Sequence, residues 1–166
     1  MPQGVLLRRG PRSPWRTRYF IDTEFTDFKA DACQLISIAI VSENGDEFYA
    51  ECTDFELSLC NSFVRETVLP QLGKISGRSM PTGNVREALM AWLCAVPLKP
   101  RPVLSYDSDC DYQLVTRLLR GSLPQGWRHE NVYLKINPER FMQYVTEHGG
   151  EHHALFDARA NAYAFI

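Results

Sequence analysis

Residues 18–25, RYFIDTEF, decide the class of fold to which this sequence belongs. Apolar side chains surround an Asp-Thr-Glu triplet there, and a second run at 34–41, QLISIAIV, is apolar almost throughout, as in a buried strand. The pair Asn44-Gly45 favours a hairpin turn before a third strand at 47–51, EFYAE. The chain therefore opens as an antiparallel meander of three strands.

Helices and strands alternate in the rest of the chain. The expected elements are helices beginning at Asn84, Asp111, Asn137 and about Ala154, and strands at 102–106 and 132–136. A meander followed by such an alternation predicts an α/β protein with a five-stranded mixed sheet flanked by helices.

The length and composition fit one globular domain. The chain has 166 residues, of which 45% are hydrophobic and 23% charged, and these values exclude wholesale disorder and fibrous classes. The longest nearly apolar run, residues 88–98, is too short to cross a bilayer. We therefore expect a single domain over residues 18–166 and no membrane partner.

The net charge of −2 conceals an uneven distribution. Five of the 18 basic residues are arginines within residues 1–18, which contain no acid, so the remainder carries 13 basic against 20 acidic side chains. We expect residues 1–17 to form a flexible basic leader, with an arm that contacts nucleic acid as the alternative. The rest of the protein is acidic, which by itself argues against a nucleic-acid partner.

The cysteines indicate a reducing compartment. Their number, five, is odd, and they are scattered without a Cys-x-x-Cys pair. This pattern predicts free thiols in a cytoplasmic protein, with neither a disulfide framework nor a zinc site.

Asp22 and Glu24 are the first candidate metal ligands. Residues two apart on a strand project to the same face, so the two carboxylates point together. Like charges held close are costly unless a cation lies between them, and hard divalent cations prefer oxygen ligands. The alternative is a strand end where both side chains simply emerge into solvent.

Two more acidic motifs follow. Residues 106–111, YDSDCD, place three acids between a strand and a helix, although helix capping or a solvated turn explains some of them. Residues 152–158, HHALFDA, place two histidines shortly before Asp157. His152 and Asp157 would lie 140° apart on one helix, so they converge only if His152 lies in the loop after Gly149-Gly150. A metal-binding histidine pair or a polar loop is the alternative.

Taken together and in this order, the three motifs resemble those of the DEDDh group of 3′-to-5′ exonucleases. The matching stretches are FIDTEF at 20–25, VLSYDSDCDYQLV at 103–115 and HHALFDA, which fits H-x-A-x-x-D-A without a gap. The resemblance covers about residues 18–164, and DTEF together with FVRETVLP at 63–70 is similar to the compact bacterial and phage exoribonuclease branch. It implies a ribonuclease H-like fold with a central five-stranded mixed sheet.

The resemblance also implies roles for single residues. Asp22, Glu24, Asp111 and Asp157 correspond to the acids that bind two divalent ions, Mg²⁺ or Mn²⁺, and His152 corresponds to the general base. Asp107 competes with Asp111 for the second motif, or else positions substrate. Phe25 and Tyr106, next to the acids, are candidates to stack on the terminal base, with plain core packing as the alternative.

The implied activity is metal-dependent 3′-to-5′ hydrolysis that releases nucleoside 5′-monophosphates. The expected partner is the 3′ end of a single-stranded nucleic acid, with RNA favoured over DNA, and a homodimer is a further expectation from the resemblance. One alternative is a DNA exonuclease of the proofreading or repair type. Another is a non-catalytic nucleic-acid-binding protein that has the same fold.

Overall fold

Six strands form one mixed sheet in a computed structural model that describes residues 12–28 and 32–166. The strands are β1 (Arg16–Phe25), β2 (Leu35–Ser42), β3 (Glu47–Cys52), β4 (Ser79–Met80), β5 (Arg101–Tyr106) and β6 (Arg128–Asn131). The helices are α1 (Thr82–Ala95), α2 (Asp109–Leu118), α3 (Pro138–His148) and α4 (Ala154–Ala164). Short helical turns cover Leu57–Leu59, Val64–Val68, Leu69–Gln71 and Tyr133–Lys135.

The strand order is β4-β3-β2-β1-β5-β6. The expected meander is present, because β2 pairs antiparallel with both β1 and β3. Strand β5 then pairs parallel with β1, and β6 pairs parallel with β5. This arrangement confirms the predicted α/β class and places β1 near the centre of the sheet.

The sheet has six strands where the sequence predicts five. The extra strand is β4, two residues that extend the edge beside β3. The last strand is also displaced, because β6 covers Arg128–Asn131 and not residues 132–136. Val132 donates a final hydrogen bond to the carbonyl of Tyr106 at 2.7 Å, and the chain then turns.

The polar sequence of β6 explains why the position of the last strand was predicted wrongly. Its sequence, RHEN, lacks the apolar pattern of a strand, yet it completes the ladder along β5 and its Glu130 accepts a hydrogen bond from Arg18 at 2.7 Å. Pairing and this contact therefore override β-propensity. Leu134, in the segment predicted as a strand, is 91% exposed.

Helix α1 begins at Thr82, two residues before the predicted start at Asn84. A carboxylate from another segment caps this end of the helix. Asp54 Oδ1 accepts hydrogen bonds from the backbone amide and the hydroxyl of Thr82, at 2.9 and 2.6 Å.

Helices cover both faces of the sheet. On one face, α1 and α2 bury an apolar layer that includes Ile21, Leu89 and Val115. On the other face, α4 packs on β1 and β2, and its Ala154 and Ala158 are fully buried. These small side chains allow the backbone of α4 to lie close to the sheet.

Most of the predicted leader, residues 1–11, lies outside the described residues. Strand β1 begins at Arg16, within the predicted leader, and its backbone continues the ladder with β5. Among the helices that the structure describes, none has the length and apolar character needed to cross a membrane.

Candidate metal centre

Strand β1 carries the first two acids towards α4. Its side chains alternate, so Ile21 enters the core under α1 and α2 while Phe20 packs against Phe165, the residue after α4, at 5.4 Å between ring centroids. Asp22 and Glu24 follow Phe20 on the same face. The prediction that the two carboxylates point together agrees with this placement.

Asp22 belongs to two groups of carboxylates. One group contains Asp22, Glu24 and Asp157, and the other contains Asp22, Asp107 and Asp111. In each group, one oxygen from every residue lies within 4.8 Å of the others. All four predicted metal ligands, and Asp107 as well, therefore meet around the side chain of Asp22.

Asp111 is held in place by β1. It lies in the first turn of α2, is 3% exposed, and its Oδ1 accepts hydrogen bonds from the amide and hydroxyl of Thr23 at 3.1 and 2.6 Å. The turn itself begins at Ser108, whose hydroxyl accepts from the amide of Cys110 at 3.3 Å. Asp111 can thus present its second oxygen to a cation without losing its orientation.

Asp107 stands at the end of β5, where the chain leaves the sheet. Burial raises the pKa of its carboxyl, while hydrogen bonds from backbone amides and from Asn161 on α4 act in the opposite direction. Asp107 therefore belongs to the group of acids around Asp22, and Asn161 on α4 is close enough to affect its pKa. The structure brings together both candidates for the second motif.

His152 lies in the loop before α4, as predicted. Gly149 and Gly150 adopt positive φ angles of 70° and 84°, and His152 itself has a φ of 63°, which is rare for a residue with a side chain. Its backbone amide donates to Asp157 Oδ2 at 3.0 Å, so the loop is attached to the metal centre. Its imidazole is half-exposed, with Nε2 3.8 Å from Glu151 Oε1.

His153 has a different environment. It is 2% exposed, stacks on Tyr49 at 5.0 Å, and its Nε2 lies 3.2 Å from the Tyr49 hydroxyl. The same hydroxyl donates to Glu51 Oε1 at 2.7 Å. Burial lowers the pKa of His153, so its imidazole is neutral near pH 7. Of the two adjacent histidines, His152 is the accessible one.

The acids of the centre resist ionisation in the absence of a cation. Burial, reinforced by neighbouring carboxylates, raises the pKa of Glu24 to about 8 and that of Asp22 well above its usual value. Burial also raises the pKa of Asp111 and of Asp157 to about 7, although hydrogen bonds from Thr23 and His152 oppose the change. Bound positive charge would reverse these shifts.

Unpartnered oxygens support the same conclusion. Asp22 Oδ2 and Asp157 Oδ1 are buried and have no hydrogen-bond donor among the described residues. A buried carboxylate oxygen without a partner is costly, whereas a divalent cation is a natural partner for it. The residues present therefore fit divalent cations, and the site contains oxygen ligands of the kind that Mg²⁺ and Mn²⁺ prefer.

The two aromatic candidates contact other aromatic rings. Tyr106 is 7% exposed and stacks on Tyr112 in the layer beneath α1 and α2. This position corresponds to the alternative given for Tyr106, packing in the core. Phe25 follows a shift in strand register after Glu24 and contacts Phe28 at 5.6 Å. Stacking of either ring on a terminal base stays a prediction.

Three residues next to the predicted site residues were not predicted from the sequence. Thr23 anchors Asp111, Asn161 lowers the pKa of Asp107, and Phe63 makes an edge-on contact with His152 at 5.0 Å. Asn161 lies four residues after Asp157 in a predicted helix, so its shared face with Asp157 could have been found. Phe63 belongs to the segment 63–70 that carries the resemblance, but no spacing connects it to His152.

Comparisons with known proteins identify the fold. Solved structures share the fold over most of the chain, although their sequence identities show the fold alone. Pop2p of Schizosaccharomyces pombe, in a form with Mg²⁺ and Mn²⁺ bound, has a TM-score of 0.60 and 15% identity over 87% of this chain and 79% of its own. Escherichia coli exonuclease I bound to a dA13 oligonucleotide has a TM-score of 0.56 and 14% identity over 89% of this chain and 39% of its own. The chain therefore has the ribonuclease H-like α/β fold found in exonucleases.

The sequence comparison is more specific but shorter. Over 55 residues, 33% of this chain, the sequence is 47% identical to curated Mycobacterium tuberculosis proteins named 3′-5′ exoribonuclease. This stretch spans about a third of those relatives, 32% of their length. No family profile matches the sequence. The resemblance to 3′-to-5′ exonucleases that the three motifs predict is thus confirmed.

Proposed function

We propose that this protein is a metal-dependent 3′-to-5′ exoribonuclease that releases nucleoside 5′-monophosphates. The observation that carries the proposal is the position of Asp22, which is shared by two groups of three carboxylates. Two neighbouring oxygen-rich positions match the requirement of a two-metal phosphodiesterase for ions on either side of the reacting phosphate. A carboxylate cluster with a purely structural role would not require a second group of carboxylates beside it.

Four carboxylates and Asp107 would hold the cations. Asp22 would contribute to both positions, Glu24 and Asp157 to one, and Asp111 with Asp107 to the other. When bound, divalent cations supply charge stabilisation at the phosphate and lower the pKa of the attacking water. The ions also offset the negative charge of the acids, which permits an acidic protein to bind a polyanion.

His152 is the residue we assign as general base. Its imidazole is partly open to solvent. Its backbone amide is hydrogen-bonded to Asp157, so the residue lies at the edge of the group of acids. A neutral imidazole nitrogen can accept a proton from water. Phe63 would limit the orientations of the ring through its edge-on contact.

RNA is the proposed substrate because the curated relatives with 47% identity are named exoribonucleases. DNA is the second candidate, since the E. coli exonuclease with the same fold is bound to a DNA oligonucleotide. We propose a single-stranded 3′ end in either case. The expected homodimer and cytoplasmic location remain predictions from the sequence.

The proposal is tested with 5′-labelled RNA and DNA strands of one sequence, digested over time with Mg²⁺, Mn²⁺ or EDTA. The expected result is stepwise shortening from the 3′ end, nucleoside 5′-monophosphates in the mass spectrum, faster loss of RNA, and no reaction in EDTA. Faster loss of DNA would favour the second candidate. Internal cleavage, or reaction in EDTA, would contradict the proposal.

A further inference from the structure

A second charged surface lies at the opposite end of the central strands from the acids. It is a groove of about 1170 Å³ at the amino-terminal ends of β1, β5 and β6. Its basic residues are Arg16, Lys99, Arg101 and Arg128, and Trp15 lies beside them. We call these five residues and the groove they line the basic groove.

Strand register places three of the arginines on one face of the sheet. Arg16 is the parallel partner of Arg101, and Arg128 is the partner of Val103, two residues further along β5. Partners across a ladder, and residues two apart on a strand, project to the same side. The three guanidinium groups therefore extend together from neighbouring strands.

The positive charge of the basic groove is not neutralised by residues 12–28 and 32–166. Arg16, Arg101 and Arg128 are exposed, and none of them forms an ion pair or a side-chain hydrogen bond with another described residue. The acidic residue in the lining, Glu130, is already paired with Arg18 at 2.7 Å and with Lys135 at 3.7 Å. This local excess of cations contrasts with the net charge of −2 of the whole chain.

Trp15 adds an aromatic surface to these cations. Its side chain is 81% exposed, which is unusual for the largest apolar side chain and leaves its ring open to a ligand. Single-stranded nucleic acids are bound where a basic groove follows the phosphates and an aromatic ring stacks on the bases. The groove offers both features, whereas an acidic peptide would use only the charges.

We propose that the basic groove binds the part of a single-stranded nucleic acid that lies upstream of the 3′ end. The direction of the bound nucleic acid rests on the proposed function, which places its 3′ end at Asp22. Arg16 and Asp22 are six residues apart on β1, or about 20 Å at the rise of a strand. At about 3.4 Å per stacked nucleotide, a strand must have at least about six nucleotides to reach both sites.

The test measures binding in EDTA, which suppresses hydrolysis. The probes are fluorescently labelled RNA and DNA 20-mers, which share phosphates and base faces, and an RNA trinucleotide, which is too short to reach both sites. The double variant Arg101→Glu/Arg128→Glu reverses two groove charges. The matched control Arg78→Glu/Arg120→Glu reverses two exposed arginines outside the groove.

The groove variant is expected to bind the 20-mers at least tenfold more weakly than the wild type does. The slope of log K against log salt should become shallower by about 1.4, because about 0.7 is lost for each single-strand phosphate contact. Trp15→Ala, which leaves the charges intact, should weaken binding several-fold without a change in slope. The control variant should match the wild type.

The proposal is overturned if the groove variant and the control variant have equal affinity and slope. It is equally overturned if the groove binds polyglutamate and neither 20-mer, since the partner would then be an acidic protein. Hydrolysis of the trinucleotide by the wild type with Mg²⁺ is measured separately and tests the exonuclease proposal. The two proposals can therefore fail independently.

Discussion

The backbone amide of His152 donates a hydrogen bond to Asp157 Oδ2 at 3.0 Å. This contact joins the loop before α4 to an acid of the metal centre, and it leaves Asp157 Oδ1 buried without a donor among the described residues. The backbone of His152 therefore helps to orient a proposed metal ligand, while its imidazole remains partly exposed to solvent.

His152→Asn is expected to lower kcat by about 10²–10⁴-fold, the usual contribution of a general base. Asparagine tolerates the positive φ at this position and keeps the backbone amide that Asp157 accepts from. Mn²⁺ affinity, measured by calorimetry, should therefore change little. An equal loss of Mn²⁺ binding and activity would contradict the assignment and make His152 a ligand.

His153→Ala provides the comparison with the neighbouring histidine. Its imidazole is buried against Tyr49, so truncation removes packing and a hydrogen bond and should cost about 1–3 kcal/mol of unfolding free energy. Denaturant unfolding measures this cost, and kcat of the folded protein should fall far less than in His152→Asn. Unchanged stability would contradict the structural role.

Asp111→Asn and Asp107→Asn distinguish the two acids of the second motif. Asp111 is oriented by two hydrogen bonds from Thr23, whereas Asn161 on α4 affects Asp107 by lowering its pKa. Asp111→Asn should reduce kcat/KM by about 10²–10³-fold, since a metal site supplies several kcal/mol of charge stabilisation. Asp107→Asn should reduce it by about tenfold. The reverse order would make Asp107, and not Asp111, the main ligand of this group.

Stability without cations should depend on pH in the direction set by the buried acids. Burial raises the pKa of Glu24 to about 8 and that of Asp157 to about 7, whereas carboxyl groups of the unfolded chain titrate near 4. The folded centre thus holds more protons than the unfolded chain between about pH 4 and 8. Its stabilising contribution is complete below pH 4 and is lost as the pH rises through 7 and 8.

Thermal unfolding in EDTA at pH 5, 7 and 9 measures this effect. The wild type should lose more stability from pH 5 to 9 than Asp22→Asn does, because the variant removes one of the mutually repelling carboxyls. Mg²⁺ should reduce the loss in the wild type. Parallel curves for the two proteins in EDTA would be inconsistent with raised pKa values at the centre.

Local sequence patterns predicted the elements whose own apolar residues repeat at the spacing of a strand or a helix. The apolar runs of β1 and β2 and the stripe of α2 contain their own periodicity, and each occurs where expected. Strand β6 could not be predicted, because its residues, RHEN, form a strand only through pairing with β5 and the contact between Arg18 and Glu130. Helix α1 began earlier than predicted because Asp54, distant in sequence, caps Thr82.

The acids of the site were predictable from the sequence, but the residues that contact and orient the site residues were not. Asp22 and Glu24 are linked by strand periodicity, and the three motifs together indicated Asp111 and Asp157. The contacts of Thr23 with Asp111 and of Phe63 with His152 join segments separated by 88 and 89 positions, and no local pattern contains them. The position of Tyr106 also depends on which face of β5 turns to the core.

The shared position of Asp22 is tested most directly by comparing Asp22→Asn with Asp109→Asn in hydrolysis and in Mn²⁺ titration. Asp109 lies in the same region, is exposed, and accepts a hydrogen bond from Asn131 outside both carboxylate groups. We predict that Asp22→Asn abolishes release of nucleotides from an RNA 3′ end and removes Mn²⁺ binding, because both groups lose a ligand. Asp109→Asn should retain both properties. Undiminished hydrolysis by a folded Asp22→Asn protein would contradict the account.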